Sequence, residues 1–171
     1  DVLADVEVDD PTVPYVSNTT AEFINRCYRT EVYKNAVELL NSFDIDVITH
    51  IILGLPGEDY NDMLRSVQYA VECGTSGLKL QMLHIIKGTK LAEIYTANPF
   101  HVFTYNEYIS LIADIVENIP PEIVMHRLTG DGDKGKLIEP IWSLDKRRVL
   151  NGISREFRTR GSCQGFNLQQ K

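Results

Sequence analysis

Between Asp44 and Ile86 the chain alternates two periodicities that no single kind of element can satisfy, and this constrains its fold more than anything else. "DIDVITHIIL" is β-branched and apolar on both faces, the pattern of a strand buried between layers. "DYNDMLRSVQYAVECG" then sets Leu64, Val67, Ala70 and Val71 at helical spacing, with Asp59 or Asn61 to cap the helix and Gly74 to end it. "GLKLQMLHII" returns to an apolar strand. Strand, helix, strand is the βαβ pattern, which joins parallel strands by a right-handed crossover.

The remaining segments extend the pattern. A Ser/Thr/Asn-rich start caps a short helix at "TTAEFINR", and "TEVYKNAVELLNSF" forms a second, with Val32, Ala36, Val37, Leu40 and Phe43 as its apolar stripe. "TKLAEIYTAN" is a short helix and "TYNEYISLIADIVENI" a long one, with Tyr108, Ile109, Ile112, Ile115 and Val116 inward. The prolines of "IPPE" stop it. "EIVMHRL" is a third strand, and "SLDKRRVLNGISREFRTRG" a final helix whose basic end suits the helix dipole. The single Trp142 is expected in the core. A closed barrel needs about eight strands. The expected fold class is therefore α/β, a partial (β/α) barrel of parallel strands with flanking helices, plus a C-terminal extension.

At 171 residues the chain is one domain or part of a larger one, and a hydrophobic fraction of 43% excludes wholesale disorder. A net charge of -7 opposes any general affinity for nucleic acid or anionic membrane, while leaving room for a local basic patch. No run of 18 apolar residues occurs and the N-terminus is acidic, so a cytoplasmic protein is expected. Cys27, Cys73 and Cys163 are too scattered for a short metal motif and odd in number for a disulfide scaffold. They are expected to be buried or incidental thiols.

In parallel α/β sheets the chemistry sits beyond the strands' carboxyl ends. The first strand ends in "GLPGE", where Gly54 and Gly57 permit close backbone approach and Pro56 stiffens the turn. The second ends in "LHIIKGT", offering His84 and Lys87; the third in "HRLTGDGD", offering His126, Arg127, Asp131 and Asp133. Taken singly, each has an ordinary structural meaning: a βα turn, core histidines, a loop pair. "DGDKGK" resembles a Ca²⁺ loop but lacks the glutamate and spacing of an EF-hand, and "DKRRV" is expected to be a solvated helix face. Together, the strand ends are the ingredients of a site for an anionic or hydrogen-bonding small molecule.

In order, "FINR", "VITHIILGLPGED", "GLKLQMLHIIKGTKLAEIY", "VMHRLTGDG", "PIWSLDK" and "NGISREFRTRGSCQG" resemble the C-terminal half of bacterial radical SAM proteins of the Fe-S oxidoreductase type. These are relatives of oxygen-independent coproporphyrinogen oxidase and of the Elongator catalytic subunit. The resemblance covers roughly Ser17 to Gly165. It implies a partial barrel in which a [4Fe-4S] cluster and S-adenosylmethionine lie at the strands' carboxyl ends, the cofactor yielding a 5′-deoxyadenosyl radical. It further implies that Arg26 pairs with the methionine carboxylate, that His50 occupies a ribose-binding position that is Asp in relatives, and that Ile52, Gly54, Leu55 and Pro56 wall the adenine. His84, Lys87, His126, Arg127 and Asp131 would line the substrate side.

Two departures from the family pattern shape the expectation. The Cys-x3-Cys-x2-Cys cluster motif is absent, so the chain is expected to be a C-terminal piece without the cluster and inactive alone. A strand end is missing where Val16 meets Ser17, so residues are expected to be absent between them. The expected organisation is residues 1–16 as an N-terminal remnant, 17–128 as half-barrel and 129–171 as extension. Implied partners are a small-molecule substrate and an electron donor, with no membrane and no general nucleic-acid binding. A cut barrel also exposes a sheet edge, through which homodimerisation is expected. The alternatives are a binding module without redox chemistry, using His84, Lys87, His126 and Arg127, and an ordinary α/β enzyme with His84 or His126 as acid or base.

Overall fold

The structure is a computed structural model and describes residues 30–169. The short helix expected at "TTAEFINR", the break expected between Val16 and Ser17, Arg26 and Cys27 all lie outside the described residues.

Helix α1 (Thr30–Ser42) leads into strand β1 (Ile48–Leu53). Beyond β1, Leu55 to Glu58 form a tight turn closed by a 3.0 Å bond from the Glu58 N–H to the Leu55 carbonyl. Pro56 fixes its second position, and Gly57 takes the positive φ of 88° demanded by its third. Helix α2 (Tyr60–Glu72) opens with a reciprocal cap: Asp59 accepts from the Asp62 N–H and Asp62 from the Asp59 N–H, both at 2.9 Å. The same device, between Thr104 and Glu107, starts the helix Tyr105–Val116.

Strand β2 (Gly77–Met82) is followed by β3 (Ile85–Ile86), α3 (Lys90–Ala97), α4 (Tyr105–Val116), β4 (Val124–Arg127) and β5 (Leu137–Glu139). Helix α5 (Lys146–Arg160) begins on the Asp145 cap and ends at Gly161, in the left-handed conformation. Strands β1, β2 and β4 form a parallel sheet in that order, and β3 and β5 an antiparallel ribbon. No helix among the described residues is long and apolar enough to cross a membrane.

Alternation along the strands separates two faces. Leu53, Leu78, Leu80 and Met82 point into a core completed by Met63 and Val67 of α2, Tyr108, Ile112 and Ile115 of α4, and Val149 and Ile153 of α5. Each fully buried aliphatic contributes roughly 1.5–3 kcal/mol. Helix α4 is buried over most of its surface, because it packs on the sheet-side core and also carries α5. The opposite sheet face presents His50, Ile52, Lys79 and Gln81.

Three expectations need correction. The first strand is not buried between layers: among the described residues helices cover one face only, and His50 is exposed on the other. The stripe of α1 is not inward as a whole, since Val37 is buried while Val32, Leu40 and Phe43 are exposed; α1 meets the sheet at the Tyr33–Thr49 hydroxyl contact of 2.7 Å. The second strand does not run to Ile86. It stops at Met82, and Ile85–Ile86 turns away to pair with β5, an element the sequence reading did not contain.

Candidate functional site

The polar sheet face is organised by register. His50 of β1 lies beside Lys79 of β2, and Lys79 beside Arg127 of β4, so one row across three parallel strands carries an imidazole, an ammonium and a guanidinium. Ile52 and Gln81 form the next row toward the carboxyl ends. In β4 the register slips: Met125 pairs with Leu78 but Arg127 with Lys79, leaving His126 as a bulged extra residue. His126 lies over Gly77, where a Cβ would stand 2.7 Å from its ring, so glycine at 77 makes room for the histidine.

Electrostatics follow from this crowding of positive charge. The pKa of His50 is lowered, first by partial desolvation and then by Lys79 and Arg127. Its ring is thus neutral at pH 7, able to donate or accept a hydrogen bond. Arg127 also reaches Asp131 at 3.5 Å, and Asp131 binds Lys146 at the head of α5. These pairs tether the loop after β4 to α5.

The other candidates are placed differently. His84 is part-buried after β2, its Nε2 3.0 Å from the buried Ser143 hydroxyl, and its ring fills the space that a side chain at Gly130 would need. Burial lowers its pKa. Lys87 is exposed beside the β3–β5 ribbon, its backbone N–H donating to the Lys136 carbonyl at 2.7 Å. His50, Arg127, Asp131 and His126 are therefore brought together, whereas His84 and Lys87 occupy separate environments.

Gly54 has a φ of 83°, and the Phe103 ring occupies the place of its missing side chain. Phe103 is held by the Trp142 indole, whose N–H donates to the Phe103 carbonyl at 2.9 Å. Leu55 is buried and Pro56 part-buried in the turn. The Glu58 carboxylate folds back to accept from the Leu55 N–H at 3.2 Å, and burial pushes its pKa up to about 7.

Lys79 and Gln81 were missed as site residues. The signal lay in "GLKLQM", whose polar residues alternate with buried ones and so mark a second, wet face. No cluster of three His, Cys, Asp or Glu that could hold a metal occurs among the described residues; Cys73 is buried, Cys163 exposed, and both are free thiols.

Residues 75–159 match the family model described as the Radical_SAM C-terminal domain, which here runs from just before β2 to the end of α5. YtqA of Bacillus subtilis (strain 168) is 37% identical over 155 residues, covering 91% of this chain and 48% of that protein. YhcC of Escherichia coli (strain K12) is 30% identical over 123 residues, covering 72% of this chain and 40% of that protein. The solved structure of the archaeal Methanocaldococcus infernus Elp3 with an N-terminal deletion superposes with a TM-score of 0.75 at 18% identity. That match spans 87% of this chain and 35% of the solved one, a likeness of fold. The chain spans about half the length, or less, of the curated relatives it matches.

Proposed function

The chain belongs to the radical SAM family through its C-terminal domain, and from that premise we propose that the polar face of the β1–β2–β4 sheet is one wall of an S-adenosylmethionine site. The observation that carries this reading is the His50–Lys79–Arg127 row. Lys79 and Arg127 supply charge for a carboxylate, neutral His50 and Gln81 supply hydrogen bonds for hydroxyls, and Ile52 supplies apolar surface for a flat base. These side chains fit that cofactor's polar and apolar parts.

The described residues do not fit a [4Fe-4S] cluster, because no set of three ligating side chains comes together. We assign the cluster to parts of the parent protein beyond residues 30–169. Beside such a cluster, S-adenosylmethionine supplies a hydrogen-abstracting 5′-deoxyadenosyl radical. The part of this chain is to bind and orient. Arg127 has a second duty: through Asp131 it couples the cofactor wall to the loop after β4 and to α5, where His126 and Asp131 would face the substrate. His84 and Lys87 belong to this proposed substrate side only if the β3–β5 ribbon approaches the same ligand.

The test is S-adenosylmethionine binding by equilibrium dialysis to the intact parent protein after anaerobic cluster reconstitution. Lys79→Ala with Arg127→Ala should weaken binding at least tenfold and depress 5′-deoxyadenosine formation with dithionite. Unchanged affinity in that double variant would remove the sheet face from the site.

A further inference from the structure

Six of the chain's 17 Lys and Arg residues lie on α5, in a protein of net charge -7. Four of them, Arg147, Arg148, Arg155 and Arg158, line a cavity of about 710 Å³ between α5 and the start of α4. None of these four makes an ion pair among the described residues, whereas Lys146 and Arg160 on the same helix are both paired. Asp145 is the one acidic lining residue, and its Oδ1 already accepts the Arg148 N–H at 3.0 Å.

The cavity is built into the helix packing. Gly152 is buried on its floor, and any side chain there would collide with the Tyr105 hydroxyl. That hydroxyl donates to the Arg148 carbonyl at 3.0 Å, while the Arg148 guanidinium lies 4.5 Å over the Tyr105 ring. Arg148 is thereby oriented by a cation–π contact instead of a carboxylate. Asn106 and Asn151 add amide donors and acceptors.

We propose that this groove binds an extended chain of phosphate groups. Guanidinium forks match phosphate oxygens in pairs, so four without carboxylate partners make a row of anion subsites. At 1.5 Å per helical residue, Arg147 and Arg158 are about 16 Å apart, too far for one phosphate to engage. A chain of phosphates spans that distance. The net negative charge elsewhere repels polyanions and confines binding to the groove. Two sources share this chemistry, inorganic polyphosphate and a single nucleic-acid strand.

The experiment is fluorescence anisotropy of a labelled single-stranded 15-mer with the full chain, with unlabelled long-chain inorganic polyphosphate as competitor. Four neutralised phosphates on a single strand predict a loss of about 50-fold in affinity between 50 and 200 mM salt. R155E/R158E should weaken binding at least tenfold with an unchanged circular dichroism spectrum, R147E should weaken it alone, and K134E/K136E on the exposed loop should leave it intact. Displacement by long-chain polyphosphate at matched phosphate concentration identifies the free polyanion as the ligand; failure to displace identifies the strand. No saturable binding of either probe at 50 mM salt, or binding that both R155E/R158E and R147E retain in full, overturns the proposal.

Discussion

His84 Nε2 stands 3.0 Å from the Ser143 hydroxyl, which itself donates to the Pro140 carbonyl at 2.8 Å. A hydroxyl has one proton to give, so the imidazole must donate through Nε2, leaving Nδ1 bare. The ¹⁵N shifts of His84 at pH 7 should show the Nε2–H tautomer, and Ser143→Ala should abolish that preference. Burial sets the folded pKa below the unfolded value of about 6.5. The ring's contribution to stability is therefore present above pH 6.5 and lost as pH falls through the folded value. Urea midpoints of the wild type should drop more steeply on acidification than those of His84→Gln.

Glu58 titrates in the opposite sense. Its folded pKa of about 7 lies above the unfolded carboxyl value, so the folded chain holds the proton more tightly. Stability from this group is full below about pH 4.5 and declines as pH rises through about 7. Glu58→Gln should flatten that decline in urea midpoints measured from pH 4.5 to 8. An unaltered slope would show that the carboxyl does not stay protonated in the fold.

The two glycines on either side of Leu55 and Pro56 should respond unequally to alanine. Gly57 has open space around it and a φ of 88°, so Gly57→Ala carries only the backbone penalty, about 1–2 kcal/mol. Gly54→Ala adds a collision with the Phe103 ring and should cost about 2–4 kcal/mol. Denaturation of both variants checks the order, and Phe103→Ala should relieve part of the Gly54→Ala cost.

Arg160 gathers the ends of α4 and α5. It reaches Asp114, Glu117 and Glu156, and donates to the Ser110 hydroxyl at 2.8 Å; Glu117 is buried. Arg160→Met strands Glu117 beside Asp114 without a cation and should destabilise the chain by about 3 kcal/mol. A second change, Glu117→Gln, should recover part of that loss in a double-mutant cycle.

On the sheet face, Lys79→Gln should raise the pKa of His50, because Lys79 is among the charges holding it down. The C2-proton shift of His50 across pH 5–8 reports this directly. A midpoint that does not move would mean that Lys79 takes no part in holding the value down.

What the sequence made legible were features written into local periodicity: the three parallel strands, helices α2 to α5, and the burial of Tyr108, Ile109, Ile112, Ile115 and Val116. Caps left ambiguous between Asp59 and Asn61 were resolved by the reciprocal bond with Asp62. What stayed hidden depends on partners distant in the chain. The exposure of His50 follows from the described helices covering only one face, and β5 exists because Ile85 and Ile86 find Leu137 and Glu139 about fifty residues later. Phe103 over Gly54 is a contact of the same kind, since nothing near "GLPG" announces an aromatic residue from the α3–α4 loop.

The slip between β2 and β4 acts as a change of reading frame. If His126 filled the place opposite Lys79, strict alternation would aim Arg127 at Leu80's side of the sheet, into hydrocarbon, and leave the wet side one cation poorer. Closing the bulge in that way would therefore do more than straighten a strand. It would exchange outside for inside at Arg127, the last position of β4, turning a local adjustment into a loss from the surface that meets water.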